Sequence, residues 1–85
     1  MGSVKIFVKP GCHFCPAAEK IGEILKSEGF PVFHYNIETP DGLAEAAFYS
    51  VMATPTIILE DESETTVAQW RGVVPQLDEI KSYLR

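Results

Sequence analysis

The stretch Val4-Lys5-Ile6-Phe7-Val8-Lys9-Pro10-Gly11-Cys12-His13-Phe14-Cys15-Pro16 decides how the rest of the chain is read. Val4 to Val8 reads as a buried strand, and Lys9-Pro10-Gly11 breaks it and carries the chain over the sheet edge. From about Cys12 or His13 to Ser27, apolar residues recur at Ala17, Ile21, Ile24 and Leu25, one face of a helix. Pro16 falls in the first turn, where a missing N–H costs least, and Gly29 is a good C-terminal stop. Cys12 and Cys15, the only two cysteines in the chain, therefore sit at a strand-to-helix junction. So placed, they can close into a small disulfide ring. The first thiol also lies near the positive end of the helix dipole, which favours a thiolate. The expected chemistry is that of a dithiol–disulfide oxidoreductase.

Working outward, Val32-Phe33-His34-Tyr35-Asn36-Ile37 is a second strand, rich in aromatic and β-branched residues. Thr39-Pro40-Asp41 reads as a cap followed by proline at the first helical position. The short helix it opens, about Gly42 to Ser50, is expected to turn Leu43, Ala46, Ala47 and Phe48 inward. Thr56 to Leu59 is a third strand, and Glu60-Asp61-Glu62-Ser63-Glu64 reads as a solvated charged turn. Thr65 to Arg71 alternates as a returning hairpin strand, with Val67 and Gln69 on one face and Ala68 and Trp70 on the other. Gly72 ends it, and Pro75 opens a last helix with Leu77, Ile80 and Leu84 on one face. The order is β-α-β-α-β-β-α. Helical crossovers demand parallel pairing in the first half, and the short turn demands an antiparallel hairpin in the second. The expected architecture is α/β, a mixed four-stranded sheet covered by three helices.

At 85 residues the chain is expected to be a single domain, 1–85, with no room for a second core. Two cysteines are too few for a disulfide scaffold, so the chain must build an apolar core and leave the pair free for chemistry. A formal charge of −5 argues against a nucleic-acid or anionic-membrane partner. No apolar run reaches the ~18 residues of a membrane span, and with Met1-Gly2-Ser3 leading directly into the first strand no signal peptide is expected. A reducing cytoplasm is the expected compartment and a monomer the expected state.

Three stretches carry a resemblance: Lys9-Pro10-Gly11-Cys12-His13-Phe14-Cys15, Ala53-Thr54-Pro55-Thr56 and Trp70-Arg71-Gly72. With the element order, they make the chain resemble the thioredoxin superfamily, close to its small glutaredoxin-like and mini-thioredoxin branch. The resemblance implies a thioredoxin-like fold in which the peptide before Pro55 is cis and Pro55 faces the cysteine pair. It implies Cys12 as the attacking thiolate, Cys15 as the buried resolving thiol, and the Thr54 backbone as the partner of an extended substrate segment. The lowered pKa expected of a thiol at a helix N-terminus supports the role of Cys12 independently. Lys9 would add positive charge, and Phe14 would contact substrate or cover Cys15.

The chain departs from both named branches. Thioredoxins usually carry a buried aspartate six residues before the first cysteine, where this chain has Ile6. Glutaredoxins usually show a Gly-Gly…Asp pattern after the fourth strand, where this chain has Arg71-Gly72-Val73-Val74-Pro75, and a tyrosine where Phe14 stands. A protein disulfide is thus the expected substrate, and a glutathione-dependent glutaredoxin is the alternative. A redox sensor or binding module without turnover is the non-enzymatic one. No bound cofactor or metal is expected. Reducing equivalents would come from a thioredoxin-reductase-type partner or from glutathione. A zinc site completed by His13 and His34 is the weaker reading of the pair, because adjacent Cys12 and His13 rarely converge on one ion. Protonated His13 would stabilise the thiolate and make the disulfide more oxidising; otherwise it is a solvated spacer. His34, Tyr35, Trp70 and Tyr83 read as structural.

Overall fold

A computed structural model of the protein describes residues 2–84. The elements are β1 (Ser3–Val8), α1 (Cys15–Ser27), β2 (Val32–Asn36), α2 (Pro40–Phe48), β3 (Thr56–Glu60), β4 (Thr66–Arg71) and α3 (Leu77–Ser82). They form one four-stranded sheet in the order β2-β1-β3-β4. β1 runs parallel to β2 and antiparallel to β3, and β3 and β4 form the antiparallel hairpin. The mixed four-stranded sheet expected from the element order is what forms, with the thioredoxin-like topology that the resemblance implies.

Alternation along the central strands divides the core between the two faces of the sheet. Val4, Ile6 and Val8 of β1 join Ile57 and Leu59 of β3 against Ala18 and Leu25 of α1 and Ile80 of α3. Phe7 and Ile58 point the other way, against Ala46 of α2, with Tyr35, Ile37 and Tyr49 around them. On the outer strand β4, Ala68 and Trp70 pack on the first cluster while Val67 and Gln69 stay exposed.

Helix ends follow local chemistry. Phe30 N–H donates to Leu25 and Gly29 N–H to Lys26, a Schellman closure that uses the left-handed φ of +95° at Gly29. Thr39 caps α2 by accepting from the Gly42 N–H at 3.0 Å, and Pro40 follows at the first helical position.

Five expectations change in detail, the simplest being that the last helix begins at Leu77, with Gln76 as its N-cap, and not at Pro75. α1 begins at Cys15, not at Cys12 or His13, because Pro16 lacks the N–H that a helix including Cys12 would bond back to the Cys12 carbonyl. The buried line on α1 is Cys15, Ala18, Gly22 and Leu25, and Ala17 is exposed. Glycine does not register in an apolar pattern, yet it brings the helix close. A Cβ at residue 22 would lie 2.6 Å from Ile6 Cδ1. On α2, only Gly42 and Ala46 face the sheet, while Leu43, Ala47 and Phe48 are exposed. Gly42 lies against the Asn36 carbonyl, and small residues four apart let the helix press down on that row, rotating its larger side chains outward. Glu60, finally, is no turn residue. It ends β3 and is 3% exposed.

Candidate active site

β1 ends at Val8, and its chain turns through Lys9-Pro10-Gly11 into the cysteines. Gly11 takes a φ of +77°, a conformation that costs glycine little. Cys12 and Cys15 are joined as a disulfide, their Cα atoms 5.3 Å apart. The Cys15 N–H donates to the Cys12 carbonyl, and the first turn of α1 closes through Ala18 N–H to Phe14 O. Cys12 is half-buried, whereas Cys15 is 3% exposed and belongs to the core under α1. The two sulfurs thus meet solvent unequally, and both lie at the positive end of α1.

Antiparallel register brings the second stretch to the same end. Phe7 pairs with Thr56, so Pro55 lies level with the exit of β1, and Arg71 pairs with Thr56 from the other side. The Thr54–Pro55 peptide is cis. Thr56 Oγ1 donates to the Ala53 carbonyl at 2.6 Å, and Gly72 N–H donates to the Pro55 carbonyl at 2.7 Å. Pro55 is buried and Thr54 half-exposed. The backbone of Thr54 makes no hydrogen bond among the described residues.

A cleft of about 330 Å³ beside the disulfide is lined by Lys9, Gly11, Cys12, Cys15, Glu19 and Asn36. Lys9 is exposed on its rim. Phe14 is 59% exposed, with its ring edge-on to the exposed His13 ring at 4.9 Å, so it is not buried over Cys15. His34 sits on β2 against Gly22, on a different element from the cysteine turn. Among the described residues no group of three or more His, Cys, Asp or Glu side chains could hold a metal. Trp70 packs on the core and donates from Nε1 to Glu79 at 3.2 Å.

Beneath α2 lies a charged cluster that apolar patterning does not announce. Lys5 Nζ donates to the Tyr49 hydroxyl at 2.6 Å and pairs with Glu60 Oε1 at 3.2 Å, and the Tyr49 hydroxyl donates to Glu60 Oε2 at 2.6 Å. A lysine inside an apolar strand is the available signal, since a buried charge needs a partner. Burial alone would lower the Lys5 pKa. Its hydrogen bonds to Tyr49 and Glu60 and the charge of Glu60 outweigh that, so it is held above the ordinary value. Burial, then hydrogen bonding to Glu60, raises Tyr49, and burial, then the charge of Glu45, raises Tyr35.

All three shifts act in one direction. The unfolded chain releases these protons first, so their contribution is intact below the ordinary values of 10.0 and 10.5 and is lost as pH rises above them. Urea midpoints are expected to hold between about pH 8 and 9.5 and to fall above about 10. The Lys5→Met/Tyr49→Phe double variant should show a shallower decline. An equally steep one would assign the alkaline loss to other groups.

Fold, junction and disulfide define a thioredoxin-fold protein with a redox pair at the start of its first helix. The thioredoxin domain family model matches residues 2–85. A probable thioredoxin from Archaeoglobus fulgidus is 32% identical over 63 residues, 73% of this chain and 69% of that protein. The chain belongs to the thioredoxin family, its small size fits the mini-thioredoxin branch, and the Cys12–Cys15 pair supports a thiol–disulfide redox role. Solved structures agree on the fold. Thioredoxin 1 from Thermosipho africanus superposes with a TM-score of 0.77 at 21% identity, over 96% of this chain and 93% of that one. A mutant thioredoxin from Halobacterium salinarum gives 0.80 at 22% identity, over 96% and 70%. No helix among the described residues is long and apolar enough to cross a membrane.

Proposed function

We propose that the protein reduces or exchanges protein disulfides through Cys12 and Cys15. The observation that carries this reading is the unequal burial of the pair, with Cys12 half-exposed at the mouth of a cleft and Cys15 in the core. In the reduced protein, the Cys12 thiolate attacks one sulfur of a substrate disulfide. A mixed disulfide forms, and the other substrate sulfur leaves as a thiolate that takes a proton from water. Cys15 then loses its proton to solvent and attacks the Cys12 sulfur. The second substrate thiol departs, two electrons have passed to substrate, and Cys12–Cys15 is oxidised. The unengaged Thr54 backbone beside Pro55 offers one donor and one acceptor to an extended segment of the substrate. Lys9 supplies positive charge near the thiolate and Phe14 an apolar contact, with the exposed His13 ring set edge-on beside Phe14. A thioredoxin-reductase-type partner or glutathione returns the pair to the dithiol. The unit acts as a monomeric domain in a reducing cytoplasm.

The test is turnover. The reduced protein is expected to accelerate insulin reduction, with recycling by a thioredoxin-reductase-type enzyme. Faster turnover of a glutathione mixed disulfide would favour the glutaredoxin reading, and no turnover of either would leave a sensor or binding module. In the reduced protein, alkylation near neutral pH should modify Cys12 first, because it is half-exposed at the positive end of α1 whereas Cys15 is 3% exposed. Preferential labelling of Cys15 would reverse the roles.

A further inference from the structure

We propose that Arg71 is a positioning residue that sets the 51–54 segment for protein-disulfide recognition, and thereby favours protein disulfides over small ones. The inference rests on the oxidoreductase function proposed above.

Arg71 is the last residue of β4. Its Nη1 donates to the Ser50 carbonyl at 2.8 Å, its Nη2 to the Tyr49 carbonyl at 2.9 Å, and its Nε to Gln69 Oε1 at 2.7 Å. The two carbonyls stand at the C-terminal end of α2, where a helix leaves carbonyls without intrahelical partners and its dipole is negative. A guanidinium fork can engage two neighbouring carbonyls at once; an ammonium lacks that planar geometry.

Past these carbonyls the chain enters the loop that leads to Pro55. Ser50 reverses its direction with a φ of 55°, a left-handed conformation unfavourable for a residue other than glycine. Beyond it, Val51 N–H donates to the Ala46 carbonyl at 2.8 Å, Thr56 Oγ1 holds the Ala53 carbonyl, and Gly72 N–H holds the Pro55 carbonyl. The loop is thereby tied along its length, with Met52 92% exposed and the Thr54 backbone without a hydrogen bond among the described residues. Arg71 and Gly72 hold the two ends of this loop from adjacent positions, so the exit of β4 sets where Thr54 lies. A long substrate segment that pairs with Thr54 depends on that placement. A small disulfide that meets only the Cys12 sulfur does not.

Global stability is carried elsewhere. Arg71 is exposed, and Tyr49 keeps its own anchor to Lys5 and Glu60 when the guanidinium is gone. Arg71→Gln therefore leaves the fold intact and loosens the α2 end of the loop, at Tyr49 and Ser50.

The experiment compares wild type, Arg71→Gln and Arg71→Lys in steady-state reduction of insulin and of a small aromatic disulfide. For Arg71→Gln the KM for insulin is expected to rise roughly fivefold, with kcat and the small-disulfide rate within about twofold of wild type. Arg71→Lys should recover part of the loss. Exchange of the Val51 amide, the N–H of the 51–54 segment held by the Ala46 carbonyl, should quicken in Arg71→Gln, while the urea midpoint barely moves. An unchanged insulin KM, an equal loss on both substrates, or unchanged exchange of that amide would overturn the assignment. A wild type that reduces neither substrate would instead overturn the functional reading on which it rests.

Discussion

Cys15→Ser is expected to abolish catalytic reduction of insulin and to leave substrate covalently attached to the protein through Cys12. The first exchange needs only Cys12, which is half-exposed beside the cleft and meets a disulfide without any rearrangement of the core. Release needs a second thiolate, and a serine hydroxyl does not displace sulfur under these conditions. Turnover should fall by more than about a hundredfold, to the uncatalysed background. Mixed disulfides should appear as higher bands on non-reducing gels and vanish with dithiothreitol, with Cys12 found by mass spectrometry as the attachment point. Cys12→Ser should lose turnover equally and trap nothing. Because residue 15 is 3% exposed, a hydroxyl there costs on the order of 1–3 kcal/mol if it finds no partner, so circular dichroism must show the variant folded. Equal trapping by both variants would count against the ordered mechanism.

The second large effect is on stability, at Lys5. Lys5→Met leaves the Glu60 carboxylate 3% exposed with the Tyr49 hydroxyl as its remaining side-chain donor. Removing one partner of a buried ion pair costs on the order of 3 kcal/mol, because the other charge stays desolvated. That is roughly a fifth or more of the ~5–15 kcal/mol by which a domain is stable. The pair as a whole is another matter. Lys5→Met/Glu60→Leu removes both charges, and an apolar replacement of similar volume is often neutral. Urea unfolding should place Lys5→Met well below wild type and the double variant within about 1 kcal/mol of it. Equal losses for the single and double variants would show that shape at these positions, not unpaired charge, governs stability.

The two cysteines, the strand before them and the helix after them were legible because each depends on local rules: an apolar run, a breaker, a helical spacing. So were the caps at Thr39 and Gly29, whose signals lie within a turn of the residues they serve. The third strand was equally plain, yet its length was not. Glu60 looked like turn solvent because its partners, Lys5 and Tyr49, lie 55 and 11 residues away. The sequence places Arg71 at the end of the fourth strand but does not show its contacts, since the carbonyls it binds belong to Tyr49 and Ser50 on another element. The inward face of α2 was misread because the pattern weighs side-chain apolarity. A glycine and an alanine chose the face instead, by letting the helix lie close to the sheet.

Element type and order, and the place of the redox pair at a strand–helix junction, thus follow from the chain's own local chemistry. Residues a few positions apart set backbone preference, capping and the possibility of a small disulfide ring. The meeting of Cys12, Pro55 and Arg71 at one end of the sheet does not. It comes from antiparallel register between β1, β3 and β4, which sets Phe7, Thr56 and Arg71 side by side. Burial and long-range pairing are properties of the assembled sheet, so the unequal exposure of the two sulfurs, the charge cluster under α2 and the tie between β4 and the Pro55 loop arise only when the strands close on one another.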